Sequence, residues 1–137
     1  MIEALDSAIV QELQRDARQT NVQIAKKLKI SEGTVRQRIA RLVESKIIQR
    51  FTIDLATKTG FTAIVLIQTE PNKPTSDLVR KLLKIQDVSK AYETSGNWDI
   101  ILKIITLSAE NFNTIIEKIR IMTGIRKTES LIALKIN

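Results

Sequence analysis

The spacing of apolar residues changes once along the chain, and that change restricts the fold more than any other feature. Up to about residue 50 the apolar side chains recur every three or four positions, the period of a helix with one buried face. Leu5, Ile9 and Leu13 make one such stripe in LDSAIVQELQRD. From residue 61 onward β-branched runs such as FTAIVLIQTE alternate with further helical segments. The 137 residues suffice for one ordinary domain or two very small ones, and the change of period points to two. Between them FTIDLATKTG, residues 51–60, alternates at first and then turns polar and small, which reads as a strand plus linker ending at Gly60.

The first block, residues 1–50, reads as three short helices. After a break at ARQT, Thr20 and Gln23 form a T-x-x-Q capping box at the head of NVQIAKKLK, whose buried side is expected to be Val22, Ile24, Ala25 and Leu28. A short connector leads to Ser31, a good N-cap for a third helix. Three helices with a tight turn between the second and third form a helix-turn-helix pattern. In ISEGTVRQRIARL, Val35, Ile39 and Leu42 fall within about 40° of one another and form a narrow seam. Gly33, Thr34, Arg36, Gln37 and Arg41 point elsewhere, and Arg38 lies on the flank.

Charge is concentrated in the same region. Residues 26–50 carry eight Lys/Arg against two acids, so +6 of the chain's net +7 sits in 25 residues. By itself a basic surface is as often a solvated face as a polyanion site. Here it coincides with a helix displaying side chains that reach base edges: arginine bonds guanine in bidentate fashion, glutamine pairs with adenine, threonine touches a thymine methyl. Gly33 permits close backbone approach to a phosphate near a helix N-terminus. Double-stranded DNA is the partner this combination implies. Thr34, Arg36, Gln37 and Arg41 are expected to carry base discrimination, and Arg38, Lys46, Lys26, Lys27 and Lys29 to hold phosphates.

Residues 61–137 follow the order β-α-β-β-α-β of a ferredoxin-like split unit, with helices on one face of an antiparallel sheet and the other face left open for a ligand or a second copy. The expected strands are FTAIVLIQTE, VSKAYETS, WDIILKIIT and GIRKTESLIALKI, and the expected helices TSDLVRKLLKIQ and SAENFNTIIEKIRIM. Base stacking on sheet aromatics is disfavoured, because this block offers only Phe61, Tyr92, Trp98 and Phe112, and Phe112 belongs to a helix. The turn Ser95-Gly96-Asn97-Trp98-Asp99 has two readings. It reverses the chain and nothing more, or its N–H groups and the Asp99 carboxylate grip the two ends of a zwitterion.

The residues excluded are as telling. There is no cysteine and no histidine, so disulfides, zinc sites, thiol nucleophiles and histidine bases are excluded. No carboxylate cluster suggests a metal site, no cofactor motif is present, and neither Asp99 nor Glu93 has an evident catalytic partner. The longest apolar run, AIVLI at 63–67, falls far short of the roughly 18–20 residues that span a membrane. With an acidic, amphipathic start, the chain is expected in the cytoplasm.

LDSAIVQELQRDARQTNVQIAKKLKISEGTVRQRIARLVESKIIQRF, VSKAYETSGNWDIILKI and TGIRKTESLIALKI together resemble the Lrp/AsnC (feast/famine) family of transcriptional regulators. The resemblance covers nearly the whole chain. It implies an α+β protein: an N-terminal winged helix-turn-helix over 1–50 and a C-terminal ferredoxin-like βαββαβ domain over 61–137. It also implies dimerisation through the C-terminal sheets, assembly commonly to octamers, and a small effector, usually an amino acid, bound between dimers. By motif match the effector residues fall on Ser95, Gly96, Asn97, Trp98 and Asp99, with Thr128 and Ser130 opposite. Two positions depart from the family pattern. Lys46 stands where a glycine is common, and Trp98 where a tyrosine is common. The reading is a sequence-specific, effector-modulated DNA-binding regulator; the alternative is an architectural DNA-binding protein with no effector.

Overall fold

The computed structural model describes residues 2–54 and 60–136. The chain divides into two compact units, Met1–Leu55 and Ala56–Asn137.

In the first unit α1 spans Ala4–Arg15, α2 Asn21–Leu28 and α3 Glu32–Glu44. Each begins where local chemistry allows. The capping box closes α2: Gln23 N–H donates to Thr20 Oγ1 at 3.2 Å, and Thr20 N–H donates to Gln23 Oε1 at 2.8 Å. Ser31 caps α3, its Oγ accepting from Thr34 N–H at 3.1 Å. Lys29 ends α2 in the left-handed region, φ 56°, which makes the tight turn into α3. Ile9, Ile24 and Val35 are fully buried where the three helices meet, with Leu5, Leu13, Leu28 and Ile39 packed around them. Val22 is 63% exposed, not part of this core. At 100° per residue it lies about 160° from Ile24, on the far side of α2.

Two further departures concern the end of this unit. Lys46 does adopt the left-handed conformation a glycine would favour, φ 58°, and Ile48 N–H closes the helix end on Leu42 O at 3.0 Å. The strand expected over 51–60 does not form in its described part: Phe51–Asp54 have no regular structure, and 55–59 lie outside the described residues. Among the described residues this unit has no other strand to pair with, and a lone strand leaves its backbone groups without partners. The wing of the expected winged motif is therefore absent from the described residues, while its three helices are present.

The second unit holds β1 (Phe61–Thr69), α4 (Thr75–Leu82), β2 (Val88–Glu93), β3 (Ile100–Thr106), α5 (Ala109–Arg120) and β4 (Ile125–Ile132). All neighbouring strands are antiparallel, in the order β2-β3-β1-β4. This is the ferredoxin-like α+β arrangement expected, with strands and helices trimmed by a few residues at their ends. Alternation sorts the sheet. Ala63, Val65, Ile67, Ile100, Leu102 and Ile104 face the helices and are fully buried. Leu78 and Leu82 of α4 and Ile115, Ile116 and Ile119 of α5 close the core above them. Each such side chain contributes roughly 1.5–3 kcal/mol.

On the opposite face sit Ile64, Leu66, Ile101 and Ile105, flanked by Tyr92 and Leu131. Tyr92 and Leu131 are each 50% exposed. Lys90 and Lys103 are paired across β2 and β3 on this face. Among the described residues, no helix of the second unit covers it.

Candidate functional site

The outward face of α3 is the first site. Val35 and Leu42 are buried and Ile39 is partly so, which fixes the azimuth of the helix. Gly33, Arg36, Gln37 and Ala40 then project into solvent. Arg36 is tied to Glu32 one turn earlier at 2.8 Å, both on the exposed surface, an (i, i+4) pair that contributes little and releases readily. Thr34 is half-buried, and its hydroxyl lies 2.7 Å from Ser31 Oγ. Lys29 and Lys46, which flank the two ends of α3 along the chain, and Lys26 on α2 are exposed. Ala40, which the charge pattern did not single out, shares the exposed arc; a methyl there suits contact with a thymine methyl.

Three of the expected DNA contacts are ion-paired with acids at and near α1. Arg38 Nη1 donates to Asp6 Oδ1 at 2.9 Å and also pairs with Glu3. Arg41 Nη2 donates to Asp6 Oδ2 at 2.8 Å, with Glu3 at 3.5 Å. Arg38 lies on the flank of α3 beside the buried seam, whereas Arg41, about 100° from Leu42, stays 53% exposed and reaches back to Asp6 and Glu3. Lys27 Nζ is held by Glu12 Oε2 at 2.8 Å and by Gln19 Oε1. These ion pairs engage Arg38, Arg41 and Lys27 within the chain, while the Arg41 and Lys27 side chains keep 53% and 54% of their surface exposed. The acids of α1 take up cations that a count along the sequence assigns to the duplex.

The electrostatics agree with the geometry. Hydrogen bonding from Arg38 is the largest cause holding the Glu3 and Asp6 carboxyls below the usual carboxylate range. The hydrogen bond from Lys27 does the same for Glu12. Arg38 is raised in turn, chiefly by its hydrogen bond to Glu3.

The turn between β2 and β3 is the second site. Asp99 Oδ2 accepts from Thr69 N–H at 2.7 Å and from Thr69 Oγ1 at 3.1 Å. A register shift between Gln68 and Thr69 accompanies this contact at the end of β1. Thr94 N–H donates to Asp99 O at 2.9 Å, and Gln68 Nε2 donates to Asn97 O at 2.7 Å. These bonds hold Ser95, Gly96 and Asn97 out in solvent, with Gly96 at φ 118° and open space around its Cα. Lys127 Nζ lies 5.6 Å from the Trp98 ring centroid, a cation–π contact reaching from β4. Lys127 was not among the sequence-derived candidates, since only the register brings it to Trp98.

Thr128 and Ser130 are not brought to this turn. They pair with Ile67 and Val65 and so share the helix-facing side of the sheet. Arg120 Nε donates to Thr128 Oγ1 at 3.4 Å, and β1 lies between them and Asp99.

A helix-turn-helix with a basic exposed arc, followed by a ferredoxin-like ligand domain, defines a class of DNA-binding regulators. Known proteins supply the particular family. Residues 2–43 match the AsnC-type helix-turn-helix domain, and residues 62–136 the Lrp/AsnC ligand binding domain. The HTH-type transcriptional regulator LysM of Sulfurisphaera tokodaii is 38% identical over 135 residues, covering 98% of this chain and 96% of that protein. The structure of E. coli AsnC superposes with a TM-score of 0.75 at 27% identity, covering 98% of this chain and 93% of that one. A feast or famine regulatory protein from M. tuberculosis complexed with L-methionine gives 0.83 at 26%, covering 99% and 94%. This chain belongs to the Lrp/AsnC family: it is a transcriptional regulator with a ligand-binding domain.

Proposed function

We propose that the protein recognises specific DNA sequences through α3 and that a small amino-acid effector alters its assembly or its affinity for DNA. The observation that carries the DNA half is the exposed arc of Gly33, Arg36, Gln37 and Ala40 on a helix whose opposite seam is buried. Arg36 and Gln37 read base edges, with Thr34 at the margin of the arc. Ser31 and Gly33 present the helix N-terminus to the backbone, and Lys26, Lys29 and Lys46 neutralise phosphates. In a dimer, two such helices enter major grooves about 34 Å apart on a near-palindromic site. Arg36→Ala is expected to flatten sequence preference by about 1–3 kcal/mol at one base pair, measured by anisotropy titration of a selected duplex and its point variants. Equal loss on random duplexes would show that Arg36 reads no base.

For the effector half, the support is the exposed turn at Gly96 beside Trp98 and Lys127. The Gly96 N–H and the Lys127 ammonium suit a carboxylate, and Asp99 suits an ammonium. Thr128 and Ser130 lie on the other side of the sheet, so their part in such a site requires a second copy of the chain, consistent with a ligand held between subunits. A thermal-shift screen of the twenty amino acids tests this. A ligand at 100 times its Kd adds about 2.7 kcal/mol of stability. A flat response from all of them favours the architectural alternative.

A further inference from the structure

Asp6 is the most buried carboxylate of the first unit, at 4% exposure, and it sits one helical turn before Ile9 at the centre of the core. Its two oxygens are divided between two arginines: Oδ1 takes Arg38 and Oδ2 takes Arg41. Glu3 pairs with the same guanidinium nitrogens, Arg38 Nη1 and Arg41 Nη2. Two acids thus meet two cations, and the cluster is neutral. Joining α1 to α3 does not require this. An apolar pair of similar volume holds two helices together as well or better than a buried ion pair. The cluster does something an apolar pair does not: it anchors the heads of two long cations that start from the flank of the recognition helix. The Arg41 side chain remains 53% exposed, within reach of solvent and of anything docked on α3.

We propose that Asp6 is a specificity-determining positioning residue, which withholds the guanidinium groups of Arg38 and Arg41 from DNA phosphates. Phosphate contacts carry no sequence information and strengthen binding to every duplex alike. A recognition helix with three mobile arginines would hold random DNA tightly and discriminate poorly. With two of them anchored, preference is left to Arg36, Gln37 and Ala40. The inference rests on the reading of α3 as the DNA-contact helix.

The test is the salt dependence of binding by the full chain to a random-sequence duplex and to a duplex selected for tight binding. Asp6→Asn removes the charge and turns an amide donor toward one guanidinium. The expected result is a steeper plot of log affinity against log salt, by about one unit while Glu3 still pairs with one guanidinium and by close to two units when Glu3→Gln is added. Random-duplex affinity at 50 mM salt is expected to rise roughly tenfold, with the selected-to-random ratio falling by a similar factor. Asp6→Glu, which keeps the charge, restores the wild-type slope. A carboxylate that only stabilised the fold would weaken both complexes and leave the slope shallower or unchanged, which overturns the proposal. Arg41→Gln provides an independent arm that leaves the Arg38–Asp6 pair in place and decides the matter even where Asp6→Asn does not fold. Its slope should equal that of the wild type, and a slope shallower by about one unit means that Arg41 already sits on a phosphate and the proposal fails. Wild-type protein that binds neither duplex at low salt removes the DNA-contact reading of α3 itself, a failure distinct from an unchanged slope in Asp6→Asn.

Discussion

At Gly60 the backbone allows one residue type. Its φ is +86°, and a Cβ added there would collide with the Thr106 carbonyl oxygen and come within 2.9 Å of Leu107 Cα. Both neighbours are backbone, which cannot swing aside. Gly60→Ala is therefore expected to destabilise the second unit by about 2–4 kcal/mol, combining the left-handed penalty with the displaced chain, as read by urea unfolding. A change under 0.5 kcal/mol would mean the strand entry relaxes freely. Single residues were also where the sequence was most legible. The Ser31 cap, the Thr20–Gln23 box and the Val35–Ile39–Leu42 seam depend on neighbours three or four positions away, and all three stand in the structure. The ion pairs of Arg38 and Arg41 were not legible, because their partners, Glu3 and Asp6, lie 32–38 positions earlier and meet them only when α1 docks on α3. Charge counted along the chain does not see that. Val22 was misread for a different reason, since β-branched bulk drew it into a buried face that helix geometry denies it.

Between elements, carboxylates on α1 provide the polar links: Asp6 and Glu3 to α3, Glu12 to α2. All three have folded-state pKa values below their ordinary ones, so each binds protons less readily folded than unfolded. Their stabilisation is present at neutral pH, begins to fall below about pH 4.5, and is lost as the pH drops through the depressed values. Facing Asp6 are Glu3 at the N-cap of α1 and Arg38 and Arg41 on α3, and Glu3 protonates over the same acidic range, so the two losses add. The melting temperature of the first unit is expected to be level from pH 7 to 5 and to fall steeply toward pH 3, followed by helical circular dichroism. Asp6→Asn should start lower and fall less. A variant profile parallel to the wild type would show that Asp6 contributes nothing to acid sensitivity. At this scale the β-α-β-β-α-β order was readable from alternation and turn residues alone. The missing strand at Phe51–Asp54 was not, because alternation reports a strand's faces and says nothing of whether a neighbour exists to bond its edges.

For the whole molecule, the sheet face opposite α4 and α5 is the feature that local spacing specifies and the described helices of the second unit do not use. Ile64, Leu66 and Ile101 lie there between half-exposed Tyr92 and Leu131. A second copy of the chain is the proposed cover. Leu131→Lys, placed in the same row as Ile64 and Lys103, is expected to halve the mass seen by light scattering, with little change in the circular dichroism of the fold. An unchanged mass would place the contact elsewhere. The α1 clasp has a further consequence for how the proposed reading surface could change. On the proposed reading, with Arg38 and Arg41 held by Asp6, the base-reading surface narrows to a few solvent-facing side chains that support no part of the core. A new genomic address would then require only exchanges among Arg36, Gln37 and Ala40, without repair of the core beneath.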